Sequence, residues 1–218
     1  MITPDVNYLD TVAHMPAGSL LRMDRVAWQD YEKLLDELGD GYAVRVSYDE
    51  GRLEITPPLP EHENYSDLIQ DLTRTLTRSL KLKLETRGSA TLKKAPLKGA
   101  EPDESFYIWN AEKIIGRRKL DLNIDPPPDI IVEIDVTNES FSKFSIYASL
   151  GVPEIWRYDE SQVEFYHLEA GEYFEAEQSR VFPFLKAEVL SQFLELSKVE
   201  GQDAALEGFA GWVAKHKP

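Results

Sequence analysis

The sequence predicts an α/β domain, a mixed β-sheet flanked by helices. Three observations carry this. Ile130, Ile131 and Val132 form an unbroken β-branched run, the pattern of a central strand covered on both faces. Tyr65, Leu68, Ile69, Leu72, Leu76 and Leu80 repeat at the helical period. Short β-prone segments separated by turn signals alternate with such helical stripes along the chain.

In chain order, Trp28, Tyr31, Leu34, Leu35 and Leu38 place a helix at about 27–38, with Gly39 as its stop. Tyr42 to Tyr48 and Arg52 to Ile55 read as a hairpin turning at Asp49-Glu50-Gly51. Pro57, Pro58 and Pro60 end the second strand before the long helix through Leu80. Strands are expected at about 86–93, 105–109, 129–136, 153–158, 163–168 and 173–176, the last two joined at Glu169-Ala170-Gly171, with a short helix over about 140–150. Two amphipathic helices, about 185–196 and 203–215, flank Gly201. At 218 residues, 42% of them apolar, the chain suits one domain, a core of about 27–184 with a helical extension over about 185–218.

Composition removes several chemistries. The chain has no cysteine, so disulfides, thiolate nucleophiles and cysteine-built metal centres are excluded. The four histidines are too dispersed for a helical zinc pair, so a metal here would be held mainly by oxygen. No apolar run of transmembrane length occurs, and Asp5, Asp10, His14 and Pro16 interrupt any signal-peptide pattern, so a cytoplasmic protein without membrane attachment is expected. The formal charge of −15 sits awkwardly with a nucleic-acid partner. Its distribution is uneven: between Leu72 and Gly99 eight basic residues face one acid, a local +7 that leaves −22 on the remainder. Arg74, Arg78, Lys81, Lys93 and Lys94 are therefore candidate phosphate contacts, or else members of a solvated face.

Two acids sit at the mouths of the best strand candidates. Asp103 precedes the strand at 105–109, and Glu133 lies inside Ile131-Val132-Glu133-Ile134-Asp135. An ionised carboxylate in such a strand needs a cation or a paired base. Mg²⁺ (or Mn²⁺) held by Asp103 and Glu133, with water and a substrate phosphate completing its shell, meets that need. Lys143, one turn into the following helix, is the candidate to stabilise charge on phosphoryl oxygens, with Tyr147 on the same face. Each has a plainer reading: Asp103 as a turn residue, Glu133 paired with an arginine, Lys143 as a surface lysine, Tyr147 and Trp156 as core aromatics, Asp129 as a strand-start turn residue. His62 is either a metal or phosphate contact or part of an acidic helix start with Glu61 and Glu63.

The string from Pro126 through Asp129, Glu133, Asp135 and Thr137, followed by Lys143, Tyr147 and Gly151-Val-Pro-Glu-Ile-Trp-Arg-Tyr-Asp159, resembles the signature of the Uma-two endonuclease-like family, and Pro102-Asp103 matches its other acidic position. His62 falls where that family commonly carries a histidine. The resemblance covers roughly Trp28 to Phe184. It implies the restriction-endonuclease-like fold of the PD-(D/E)xK superfamily, phosphodiester hydrolysis with Mg²⁺ or Mn²⁺ on nucleic acid, DNA favoured, and a homodimer. One departure stands out: Asp135 occupies the usual lysine place, so Lys143 serves as a migrated lysine, while Asp135 is either a third ligand or a helix cap. Three classes follow: a metal-dependent endonuclease, a decayed nucleic-acid-binding module, and an interaction protein using the C-terminal helices and the aromatic strands near Trp156 and Tyr173. A glycosidase is disfavoured by the apolar setting of Glu133 and by the lysine.

Overall fold

A computed structural model describes residues 8–39, 44–136 and 140–218. Its first half contains α1 (Tyr8–Ala13), β1 (Leu21–Met23), α2 (Trp28–Leu38), β2 (Arg45–Asp49), β3 (Arg52–Thr56) and α3 (Pro60–Leu80). Next come β4 (Glu85–Thr86), β5 (Leu92–Lys94), β6 (Lys98–Ala100), β7 (Glu104–Tyr107) and α4 (Ala111–Ile114). The second half contributes β8 (Ile130–Ile134), α5 (Phe141–Leu150), β9 (Glu154–Tyr158), β10 (Val163–Glu169), β11 (Glu172–Ala176), α6 (Ala187–Glu200) and α7 (Gln202–His216). Tyr42 to Ala43, the expected start of the first hairpin strand, lies outside the described residues, as does Thr137 of the signature string.

The fold is α/β as expected, but its strands are divided between two sheets. The larger runs β11-β10-β9-β8-β7-β4 and is mixed: β8 and β9 are parallel, joined through α5, while the other neighbours are antiparallel. The smaller runs β1-β3-β2-β6-β5, all antiparallel. The single strand expected over 86–93 is two strands belonging to different sheets. Gly88, at φ +54°, turns the chain between them, a conformation that a side chain disfavours. Neither β1 nor β6 announced itself, because three residues with a glycine or a charge among them show no usable alternation.

β8 is buried at all five positions. Its alternation decides the site. Ile130, Val132 and Ile134 face the main core, packed with Leu68, Leu72 and Leu76 of α3 and with Leu190, Leu194, Phe209 and Val213 of α6 and α7. Ile131 faces the other way, toward Ile146 and Leu150 of α5, and Glu133 shares that face. The C-terminal helices are thus part of the principal core. Trp156 is buried there, as the plainer reading of that residue holds.

A third cluster packs α2 onto the smaller sheet, where Trp28, Tyr31 and Tyr48 meet with ring centroids 5.0–5.3 Å apart. The Tyr31 hydroxyl is buried without a hydrogen-bond partner among the described residues, and a Cβ added at Gly99 would collide with it. Tyr31→Phe is expected to stabilise by about 1 kcal/mol, since it removes an unsatisfied polar atom. Gly99→Ala is expected to destabilise by about 1–3 kcal/mol. Urea unfolding of the double variant should show the alanine better tolerated beside phenylalanine; an equal loss in both backgrounds would contradict the contact.

Candidate active site

Asp103 lies on the segment that carries the chain from β6 of the smaller sheet to β7 of the larger. Its backbone N–H donates to the Val132 carbonyl (3.1 Å) and its Oδ2 accepts from the Ile134 N–H (2.8 Å), so the carboxylate is bolted to β8 beside Glu133. From α3, the Ser66 hydroxyl donates to the Asp103 carbonyl (3.2 Å). On α5, Lys143 and Tyr147 stand four residues apart on one face and both reach Glu133: Lys143 Nζ is 2.7 Å from Oε2, and the Tyr147 hydroxyl donates to Oε1 in a short bond. Lys143 Nζ also lies 3.4 Å from the Glu101 carbonyl. The lysine points into the site.

Asp135 does something different. Its Oδ2 accepts from the Ser140 N–H (2.9 Å) and hydroxyl (3.2 Å) and from Arg157 Nε (2.6 Å). It holds Ser140 at the start of α5 and takes an arginine as counter-charge, while its side chain also lines the cleft shared with Asp103 and Glu133. Asp129 is structural in the same sense, accepting from the Ile108 and Asn110 N–H groups and the Asn110 side chain.

Asp103, Glu133, Asp135 and Lys143 line a cleft of about 390 Å³ between the two sheets, together with Arg22, Arg45, Glu54, His62 and Phe141. His62, in the first turn of α3, sets Nδ1 3.8 Å from Asp103 Oδ1, and its Nε2 is buried without a partner among the described residues. Arg45 of β2 places Nε 3.4 Å from Asp103 Oδ1 and donates to Glu63 (2.8 Å). Sequence reasoning missed Arg45, Arg22 and Phe141, since nothing local says which sheet a hairpin joins or what it faces. The expected phosphate contacts stand elsewhere. Arg74 is engaged by Gln70 and Thr86, Lys93 by Glu32 and Lys94 by the Ser149 carbonyl, and none of Arg74, Arg78, Lys81, Lys93 or Lys94 lines the cleft.

Burial separates the two central carboxylates. It pushes Glu133 up to about 7, with Lys143 opposing and the nearby Asp103 charge adding. Asp103 is buried too, but His62, Lys143, the Ile134 N–H and Arg45 outweigh that and hold it below the usual carboxylate range. Burial alone would lower Lys143; Glu133 and Asp103 reverse this and raise it, so it stays an ammonium. Among the described residues no three His, Asp or Glu side chains converge as a ready metal cluster. What does fit is a hard cation touching two carboxylates and otherwise water and phosphate, because each carboxylate oxygen keeps acceptor capacity beyond its present bond and His62 Nε2 is unengaged.

On the opposite face of β7, Glu104 accepts from the Gly88 N–H (2.7 Å), the Ser105 N–H (2.7 Å) and Gln70 (3.0 Å), and burial still pushes it up to about 7. Its folded value exceeds the ordinary 4.5, so the native state keeps a proton that the unfolded chain releases. Stability is therefore expected to fall as pH rises from about 4.5 to 7, by roughly 1–3 kcal/mol, and then to level off. Urea midpoints at pH 5 and 8 test this, and the fall should be shallower in Glu104→Gln.

A mixed sheet with one acid on its central strand, a second on the segment leading into the neighbouring strand and a lysine on the crossover helix fits a restriction-endonuclease-like, nuclease-type fold. Residues 28–206 match the Uma2 family model, described as "Putative restriction endonuclease", and the chain belongs to that family. Among solved structures it is similar to a "putative nuclease belonging to DUF820" from Anabaena variabilis, with TM-score 0.51 and 19% identity over 78% of this chain and 99% of that one, a likeness of fold. No curated protein matches the chain. Among the described residues no helix is long and apolar enough to cross a membrane.

Proposed function

We propose that the protein is a divalent-metal-dependent endonuclease that hydrolyses phosphodiester bonds of nucleic acid, with DNA the favoured substrate. The observation that carries the reading is the meeting of Asp103, Glu133 and Lys143, from three separate segments, at the base of one cleft. Asp103 and Glu133 would hold Mg²⁺ or Mn²⁺, which when bound supplies an activated water and neutralises phosphoryl charge. Lys143, a buried ammonium, would stabilise the charge that builds on the phosphoryl oxygens. Tyr147 fixes the Glu133 carboxylate, Arg45 and His62 fix Asp103, and Asp135 with Arg157 fixes the start of the helix that carries Lys143. The family match supports the reaction class.

The test is cleavage of supercoiled plasmid and of single-stranded DNA at low salt, with and without Mg²⁺ or Mn²⁺, beside Asp103→Asn. Cleavage that requires the metal and disappears in the variant is the expected result. The competing reading, a decayed binding module, is favoured by the engagement of Asp135 with Arg157 at the usual lysine place. It prevails if the intact protein cleaves nothing and calorimetry finds no Mn²⁺ binding that Asp103→Asn removes.

A further inference from the structure

Phe141, the first residue of α5, is 44% exposed, yet it lines the same cleft as Asp103, Glu133 and Lys143. Its ring is also held in place. The Arg157 guanidinium lies 4.6 Å from its centroid, Phe144 packs at 5.2 Å and Tyr166 edge-on at 6.2 Å. Arg157 is itself clamped by Asp135 and Glu164. Such a ring loses little further freedom when something stacks on it.

We propose that Phe141 is a base-stacking platform that makes unpaired nucleic acid, rather than duplex, the substrate this cleft accepts; the inference rests on the nuclease reading and narrows it. Three observations point to unpaired strands. The two carboxylates are buried and line a cleft of about 390 Å³, at the small end for ligand pockets, a space on the scale of a nucleotide and not of a duplex. The chain carries −15 overall, and the cations in the cleft, Arg22, Arg45 and Lys143, are each paired with an acid. Duplex binding draws mostly on many phosphate contacts at free cations, a resource this cleft lacks, whereas an unpaired strand can draw part of its affinity from base stacking. A base inside a duplex would first have to be unpaired and unstacked, a cost that single strands avoid.

The experiment measures fluorescence anisotropy of a labelled 12-nucleotide strand, its duplex, and a strand of equal length with abasic sites at its centre, at low salt without added metal, with wild type, Phe141→Ala, Phe141→Leu and Phe141→Trp. Cleavage of strand and duplex in Mn²⁺ runs alongside. Wild type should bind the strand about 10-fold more tightly than the duplex or the abasic strand. Phe141→Ala and Phe141→Leu should each erase that margin and Phe141→Trp restore it. Leucine keeps apolar contact with Phe144 and Tyr166, so a loss shared with alanine is loss of the π face rather than collapse of the helix start. Equal affinity for abasic and ordinary strands, or an unchanged margin in Phe141→Ala, overturns the inference. If strand and duplex are cleaved alike in a metal-dependent way that Asp103→Asn abolishes, the nuclease reading survives without it. Stacking-dependent binding with no cleavage leaves the platform standing and removes the enzyme, and no binding to any probe removes both.

Discussion

Glu133→Gln is expected to lower metal-dependent cleavage by about 10³-fold or more and to cost about 1–3 kcal/mol of stability. The loss of cleavage follows from removing one of the two carboxylates that face the cation and from unbalancing the charge at the phosphoryl group. The size of the stability loss follows from burial. Glu133 is 1% exposed, and its ionisation is already disfavoured enough to push it up to about 7. The amide keeps an acceptor oxygen for Lys143 or Tyr147 without the desolvation cost of a charge, which limits the loss, but it leaves the Lys143 ammonium with Asp103 as its remaining counter-charge. Lys143→Ala is expected to cost more, because it strips the buried carboxylate of its counter-charge and removes the side chain's packing, so it should lose both activity and about 2–4 kcal/mol. Single-turnover cleavage and urea unfolding of the two variants, taken together, check this. A Glu133→Gln protein that keeps its activity would mean that the carboxylate is a structural ion-pair member and not part of a catalytic centre.

Arg157→Ala is expected to cost about 3–5 kcal/mol, and at this chain length to lower the melting temperature by about 10 °C. The guanidinium is 9% exposed and donates to Asp135 at 2.6 Å and to Glu164 at 2.8 Å while covering Phe141 at 4.6 Å. Its removal leaves the Asp135 carboxylate buried with only Ser140 for a partner. The double variant Arg157→Met, Asp135→Asn tests the cause, because most of the stability should return when charge and counter-charge leave together. If the double variant is no better than the single, the loss comes from packing against Phe141 and not from the stranded acid. Calorimetry of the three proteins at pH 7 decides.

Much of this was legible in the residues. The β-branched run marked β8, period two put Ile131, Glu133 and Asp135 on one side of it, and the four-residue spacing put Lys143 and Tyr147 on one face of α5. These are properties of the backbone, fixed within a few residues, so sequence alone determined them. It also determined that any metal must be held mainly by oxygen, since the chain has no cysteine. Tertiary structure decided which faces meet. Lys143 could have pointed to solvent; the packing of α5 over β8 turned it onto Glu133. Asp135 met Arg157, two residues along the parallel neighbour from Ile155, a partner that no local pattern announces. The basic stretch from Arg74 to Lys94 read as one surface, yet Gly88 turns the chain inside it and sends β4 and β5 to different sheets. Arg45, His62 and Phe141 reach the cleft only because the smaller sheet and the starts of α3 and α5 close over β7 and β8. Those meetings are selected by burial of apolar faces far apart in the chain, and local periodicity carries no record of which face will find which.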